Sequence, residues 1–338
     1  MIVFFSLVSF LALQCVSHSN AFHIPIATSS SINNVARSIH LAKSTIVVAR
    51  NSTGHVVAFH DYCPHRGASF DKVVVEHDKI ACPYHGFEFN VQNGNLTSGL
   101  GVKPGCFGLE VIDCVEKGGL LWVCVDGDYD IGPPEPIAEA SDPSYRKICG
   151  SVIIKCPVEQ LVANVVDSCH VSYVHSFGNK ISPEPLSYQA QRISPTTGAA
   201  TFRYHAGEGS MFNGVVDVFN WYRIPCTAGT LVKSCKNIKI VQVHAVQLRD
   251  NRTKVFWELY RNWATHPCMD IVFFMAMKKS LDEDKEILES CSFERGGFFH
   301  GRFDRLQILY YKALTKFKKY DYYEVANAKE RENVEVKF

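Results

Sequence analysis

Between Ser44 and about Gly127, apolar residues come in short runs broken by Gly, Asn and Pro. Thr45-Ile46-Val47-Val48-Ala49 and His55-Val56-Val57-Ala58-Phe59 flank Asn51-Ser52-Thr53-Gly54, a pattern that predicts a hairpin. Phe87-Glu88-Phe89 runs toward a turn at Asn93-Gly94, and Gly119-Leu120-Leu121-Trp122-Val123-Cys124-Val125 reads as a further strand. These signals predict a small all-β domain over residues 44–130. Gly132-Pro133-Pro134-Glu135-Pro136 marks a linker. Helix and strand signals mix beyond it, as in an α+β domain over 131–318 with a tail at 319–338. Pro157 is suited to open a helix. On that helix Asn164, Asp167 and His170 step by three and share one side.

Composition narrows the class. The 338 residues fit two domains, and the 46% hydrophobic content is that of an ordinary globular chain. A net charge of +1 without a basic run argues against a nucleic-acid partner. The 13 Cys are too dilute for a disulfide framework. Cys106, Cys114, Cys124, Cys149, Cys156, Cys226, Cys235 and Cys268 read as buried or half-buried free thiols, which suits a reducing compartment.

Residues 1–43 read as a targeting presequence. Ile2 to Leu13 is mostly apolar and too short for a confident membrane span, and Ser19-Asn20-Ala21 is a small-residue, cleavage-like site. No acid precedes Asp61, and Phe22 to Lys43 is Ser-rich and mildly basic. A signal followed by a transit-like stretch resembles the bipartite presequences of algal plastids of secondary origin. Plain secretion or an N-terminal membrane anchor is the alternative. An oxidising lumen would compete for thiolates and would open the sequons at Asn51, Asn95 and Asn251 to glycosylation, so the plastid is preferred.

The strongest chemical signal is a pair of matched segments. Cys63-Pro64-His65-Arg66-Gly67 and Cys82-Pro83-Tyr84-His85-Gly86 each offer one thiolate and one imidazole. Two Cys and two His are the ligand set of a Rieske 2Fe–2S centre, an electron carrier. Structural zinc shares the donor set, but its usual C-x₂₋₄-C and H-x₃₋₅-H spacings fit these segments poorly. A second constellation follows the linker: Asn164, Asp167, His170 and, five residues on, His175. On one ideal helix His175 would lie about 140° from His170. The helix must therefore end or bend near Tyr173 if both reach one metal. Two His and one carboxylate with open positions characterise non-haem Fe(II) that handles O₂.

Together, the Cys/His pair, the proline-bearing linker and N-x-x-D-x-x-H-x₄-H resemble the catalytic subunit of Rieske non-haem iron oxygenases over roughly residues 44–315. The resemblance implies a Rieske domain followed by a helix-grip-like α+β catalytic domain. It implies a 2Fe–2S cluster on Cys63, His65, Cys82 and His85, and mononuclear Fe(II) on His170 and His175. A distant Asp completes that set, and Glu283-Asp284-Lys285-Glu286-Ile287-Leu288-Glu289 supplies Asp284, with Asp282 as fallback. Asp167 would bridge electrons to His85, and Asn164 belongs to the same motif. The implied partners are O₂, a small organic substrate, a reductase or ferredoxin, and two further copies in a head-to-tail homotrimer. The chain departs from the family in its short lead-in, its missing Trp-containing opening and its compact 175–284 interval.

A carrier-only Rieske protein resembles C-T-H-x-G-C and C-P-C-H, with an extra Cys pair. Arg66-Gly67-Ala68 and Tyr84 stand where those Cys would be. A non-catalytic redox sensor is the remaining rival. Aromatics such as Phe202, Tyr204, Phe212, Phe219, Trp221 and Tyr260 crowd the second domain and read more simply as sheet core than as pocket lining.

Overall fold

The alternation of apolar and polar residues closes into three small antiparallel sheets in the first half of the chain. The computed structural model describes residues 21–126, 131–292 and 301–317. Two compact units are joined after Pro136, inside the proline-bearing linker.

In the first unit, Arg37–His40, Thr45–Arg50, Val56–His60 and Val111–Ile112 form one sheet. Val75–Glu76, Lys79–Ala81, Glu88–Asn90 and Leu96–Ser98 form a second. The predicted hairpin is present, with Ile46 opposite His60 and Arg50 opposite Val56. Phe59, Phe70 and Phe89 are fully buried and meet edge to face, with ring centroids 5.6 and 6.0 Å apart. Such contacts add to plain area burial.

The third sheet corrects the boundary at residue 43. Ala21–Thr28 is a strand paired with Leu120–Asp126, which also pairs with Cys114–Lys117. Phe22, Ile24 and Ile26 are 1%, 5% and 1% exposed. Residues 21–43 therefore belong to the fold, and their low acid content reflects a buried strand and its flanking turns. The apolar run Ile2–Leu13 and the tail beyond Phe317 lie outside the described residues.

The second unit is built on one seven-stranded antiparallel sheet. Its strands are β1 (Arg146–Ile154), β2 (Ser187–Arg192), β3 (Thr197–His205), β4 (Val215–Arg223), β5 (Thr227–Ser234), β6 (Asn237–Leu248) and β7 (Arg252–Arg261), in spatial order β1-β7-β6-β5-β4-β3-β2. Successive side chains point to opposite faces of a strand. The aromatics accordingly divide between the two faces. Phe219, Trp221 and Tyr260 pack on one; Phe202 and Phe212, with Tyr188, Tyr204 and Trp263, pack on the other. Among the described residues four α-helices accompany the sheet: α1 (Val158–Val166), α2 (His170–Val174), α3 (Asp270–Ser290) and α4 (Arg305–Phe317). Helix α1 buries Val158, Leu161, Val162 and Val166, and α4 buries Leu306, Tyr310, Ala313 and Phe317, each a single helical stripe. Among the described residues no helix is long and apolar enough to cross a membrane.

Two further expectations change. The helix opened by Pro157 ends at Val166, because Asp167 is extended (φ −69°, ψ 130°). Asn164, Asp167 and His170 therefore do not share one helix face. Cys106, Cys149, Cys235 and Cys268 are exposed, and only Cys156 and Cys226 of that set are fully buried.

Burying a large apolar side chain is worth about 1.5–3 kcal/mol. Phe22, Ile24 and Ile26 together thus contribute much of the roughly 5–15 kcal/mol by which a domain is stable. A chain lacking residues 1–43 is expected to lose the cooperative unfolding transition of the first unit in thermal circular dichroism. An unchanged transition would show that the strand Ala21–Thr28 is dispensable.

Candidate metal centres

Two turns of one design carry the first donor set. Cys63 N–H donates to Ala68 O (2.8 Å) and Gly67 N–H to Cys63 O (2.7 Å). In the second turn, Cys82 N–H donates to Phe87 O (2.8 Å) and Gly86 N–H to Cys82 O (2.9 Å). Both turns close through a left-handed residue, Gly67 at φ 73° and Gly86 at φ 69°. A Cβ there would cost about 1–2 kcal/mol of backbone strain. The second turn lies between the strands Lys79–Ala81 and Glu88–Asn90, which fixes it on the sheet.

This geometry brings all four donors together from the two turns. Cys63 and Cys82 are 1% and 2% exposed, and the His65 and His85 ring centroids are 4.7 Å apart. Burial pushes the Cys63 thiol up, and the neighbouring Cys82 adds to the shift. Burial, then the charges of His65 and Arg66, hold His85 below the usual histidine range. His85 Nδ1 is buried with no hydrogen-bond partner. Two buried thiols, one of them held up by burial, and an imidazole lone pair facing no donor are what a bound cation would satisfy, since it stabilises thiolate and neutral imidazole alike. The set fits a 2Fe–2S cluster of the Rieske type.

The second donor set is assembled by a broken helix. After α1 ends, Asp167 Oδ1 accepts from the backbone N–H of Cys169 (2.7 Å) and His170 (3.2 Å). That carboxylate starts α2 in the manner of a helix cap. The Asp167 carbonyl lies 3.2 Å from His170 Nδ1, leaving Nε2 to face the site. His175 follows α2 in extended conformation, so the chain turns where the spacing required, though the main break is at Asp167. From α3, Asp284 Oδ1 lies 3.6 Å from His170 Nε2 and 3.7 Å from His175 Nε2. The three ligand atoms lie within 4.8 Å of one another, a spacing that metal–ligand bonds of about 2.1 Å span. Asn164 Nδ2 donates to the same Asp284 oxygen (3.0 Å). Asp282, by contrast, is exposed and paired with Lys278. That favours Asp284 over the fallback.

Glu283 is the residue whose role the sequence did not disclose. It accepts from His175 Nδ1 (3.0 Å) and from Ser176 N–H (3.2 Å). Although burial would raise its pKa, those hydrogen bonds prevail and hold the carboxyl below its usual range. Burial also holds His175 below the usual histidine range, which favours a neutral imidazole with a lone pair on Nε2. Consecutive helix residues do not normally face one partner. Glu283 and Asp284 manage it because they address opposite nitrogens of a single ring. Gln307 of α4, also unassigned from sequence, donates to Asp167 Oδ2 (3.3 Å) and to Ala163 O (3.2 Å).

Known proteins resemble this chain in sequence and in fold. Residues 22–104 match the family model described as the Rieske [2Fe-2S] domain. Over 135 residues the chain is 32% identical to the oxygenase component of dicamba O-demethylase from Stenotrophomonas maltophilia, covering 38% of this chain and 40% of that protein. It is 31% identical over 135 residues to the chloroplastic chlorophyllide a oxygenase of Chlamydomonas reinhardtii, covering 38% of this chain and 20% of that protein. The matching stretch thus spans less than half of these curated relatives. Among solved structures, dicamba monooxygenase bound to dicamba superposes with a TM-score of 0.74 at 18% identity, over 89% of this chain and 98% of that one. NdmA of Pseudomonas putida CBB5 with caffeine gives 0.70 at 21% identity, over 86% and 88%. The fold is that of these oxygenases, with a cluster-bearing β unit followed by an α+β unit.

Groups that orient a metal-bound imidazole typically contribute 10–100-fold in metal affinity. Glu283→Gln is therefore expected to weaken retention of the second metal by about that factor, with Asp282→Asn near wild type. Metal content after dialysis against a chelator reads both. Equal retention by the two variants would remove Glu283 from the site.

Proposed function

We propose that this chain, whose residues 22–104 are a Rieske [2Fe-2S] domain, is the oxygenase component of a Rieske non-haem iron oxygenase. The observation that carries the reading is the convergence of His170 Nε2, His175 Nε2 and Asp284 Oδ1 in a chain that also bears two Cys/His turns. Cys63, Cys82, His65 and His85 hold the 2Fe–2S cluster; His170, His175 and Asp284 hold mononuclear iron. When bound, the cluster supplies electrons singly and the iron supplies O₂ activation. The net reaction consumes O₂, two electrons and two protons. It inserts one oxygen atom into a small aromatic or apolar substrate, by hydroxylation or demethylation, and releases the other as water. A reductase or ferredoxin delivers the electrons.

The chain's own residues prepare this chemistry. Glu283 fixes the His175 tautomer, and the Asp167 carbonyl does the same for His170. Asn164 restrains the Asp284 carboxylate. Asp167 carries the electron bridge toward His85 of a neighbouring copy in a head-to-tail homotrimer, and its side chain is held ready by Gln307. We place the protein in a plastid, a reading supported by relatives named as chloroplastic from Chlamydomonas reinhardtii and Arabidopsis thaliana.

The test is oxygen uptake by the holoprotein with a ferredoxin–reductase pair, across aromatic acids, amines, sterols and tetrapyrroles, with product analysis. At least one substrate should be oxygenated in step with O₂ consumption. Purified His170→Ala should keep the visible absorption of the cluster, lose mononuclear iron and give no product. Asp167→Asn should retain iron but slow single-turnover product formation at least about tenfold, since misplacing a transfer path by an ångström costs on that order or more. Full product formation by His170→Ala would overturn the ligand assignment.

A further inference from the structure

The two Cys/His turns are held by different means. The second sits inside a hairpin, with Ile80 opposite Phe89 and Ala81 opposite Glu88 on the strands that enter and leave it. The first has a strand on its entry side only. Val56–His60 leads into it, and no strand follows before Val75–Glu76. Its own backbone closure reaches no further than Ala68, whose carbonyl accepts from Cys63 N–H.

Side chains supply the rest of the closure, and they converge on Asp61. Its Oδ1 accepts from Phe70 N–H (2.7 Å). Ser69 Oγ lies 3.0 Å from Oδ1 and 2.8 Å from Oδ2, and Ser38 Oγ donates to Oδ2. Ser69 Oγ itself accepts from Asp71 N–H (3.1 Å). An aspartate in an ordinary turn bonds to backbone two or three residues away. Asp61 reaches eight and nine residues ahead and twenty-three back. It therefore ties the entry of the first turn to its exit, and both to the strand Arg37–His40. Phe70, whose N–H it holds, is fully buried and packs on Phe59 and Phe89.

This closure bears on how a Rieske cluster is held. Two His bind one iron and two Cys the other. Each turn here carries one Cys and one His, so each turn would serve both irons. A drift of the first turn against the second would then pull on the two irons together. The hairpin guards against that drift on one side, and Asp61 on the other.

We propose that Asp61 is a positioning residue for the cluster: its carboxylate holds Cys63 and His65 at the separation from Cys82 and His85 that a 2Fe–2S group requires. Among the described residues its side-chain hydrogen bonds go to Ser38, Ser69 and Phe70 and to no ligand, so it acts through the turn. The inference needs the cluster alone and stands apart from the oxygenase reading. The contacts call for acceptors and not for charge. An Asn keeps one oxygen for the Phe70 N–H, and its NH₂ can donate to the two hydroxyls, which accept as well as donate. A Leu of similar size leaves the N–H and both hydroxyls without that partner.

Holoproteins carrying Asp61→Leu, Asp61→Asn or Ser69→Ala are compared with wild type in three readings. These are release of cluster iron to a chelator, the EPR spectrum of the dithionite-reduced cluster, and its reduction potential. Groups that support metal ligands contribute about 10–100-fold in metal affinity. Asp61→Leu is expected to release iron faster by about that factor, with shifted g-values and an altered potential. Asp61→Asn should match wild type in all three. Ser69→Ala, which removes one hydroxyl from the closure, should release iron about threefold faster. Should Asp61→Leu fail to fold, the other two variants carry the test. Wild-type release and spectra in Asp61→Leu or Ser69→Ala would overturn the proposal, as would an Asp61→Asn cluster as labile as that of Asp61→Leu. A lowered melting temperature with unchanged EPR spectrum and potential would also overturn it, because fold support alone explains that result. A wild type that assembles no cluster would overturn the four-ligand assignment instead.

Discussion

One carboxylate ties the catalytic unit together. Asp284 Oδ1 faces His170 Nε2 and His175 Nε2 while accepting from Asn164 Nδ2. It thereby joins α3 to α1 and to the segment around α2. His170 Nε2, His175 Nε2 and Asp284 Oδ1 face one another within 4.8 Å, an arrangement that a bound cation would complete. Metal binding and the docking of α3 are thus parts of one equilibrium. Metal occupancy stabilises the folded arrangement, and the arrangement sets the metal site. The adjacent Glu283 acts in the same sense, because the hydrogen bond it accepts from His175 Nδ1 keeps the ring turned with Nε2 inward.

The first unit solves a different problem with the same economy. Two turns of equal backbone design place a thiol and an imidazole each, and the thiols sit within the apolar core beside Phe70, Phe87 and Phe89. A cluster held there is shielded on its thiolate side, while the two imidazoles come from the outer ends of the turns. Electrons would enter and leave through the imidazoles. In the proposed electron path, an acid such as Asp167 would therefore meet the imidazole side of the cluster and not the β core.

Much of this was legible in the chain. The paired Cys/His turns could be read because their spacing is rigidly local and their glycines mark left-handed turns. The histidines of the second site were legible as a motif, but the backbone between them was not. The apolar run Val162 to Val166 gives no hint that Asp167 stops the helix, since its side chain competes for the N–H groups of Cys169 and His170 only once the turn exists. The start of the fold was misread for a related reason. Phe22 to Ile26 looks like part of a leader until the Leu120–Asp126 strand, a hundred residues away, appears beside it. Glu283 and Gln307 depend wholly on tertiary contacts, and no local pattern announces them.

The central claim is that one chain holds both a 2Fe–2S cluster and a separate iron. The direct measurement is iron and acid-labile sulfide per chain after anaerobic reconstitution and desalting, for the wild type and for Asp284→Ala. The account predicts three irons and two sulfides in the wild type, falling to two irons and two sulfides in the variant. Two irons and two sulfides in both proteins would contradict it, leaving an electron carrier with no oxygen-activating centre.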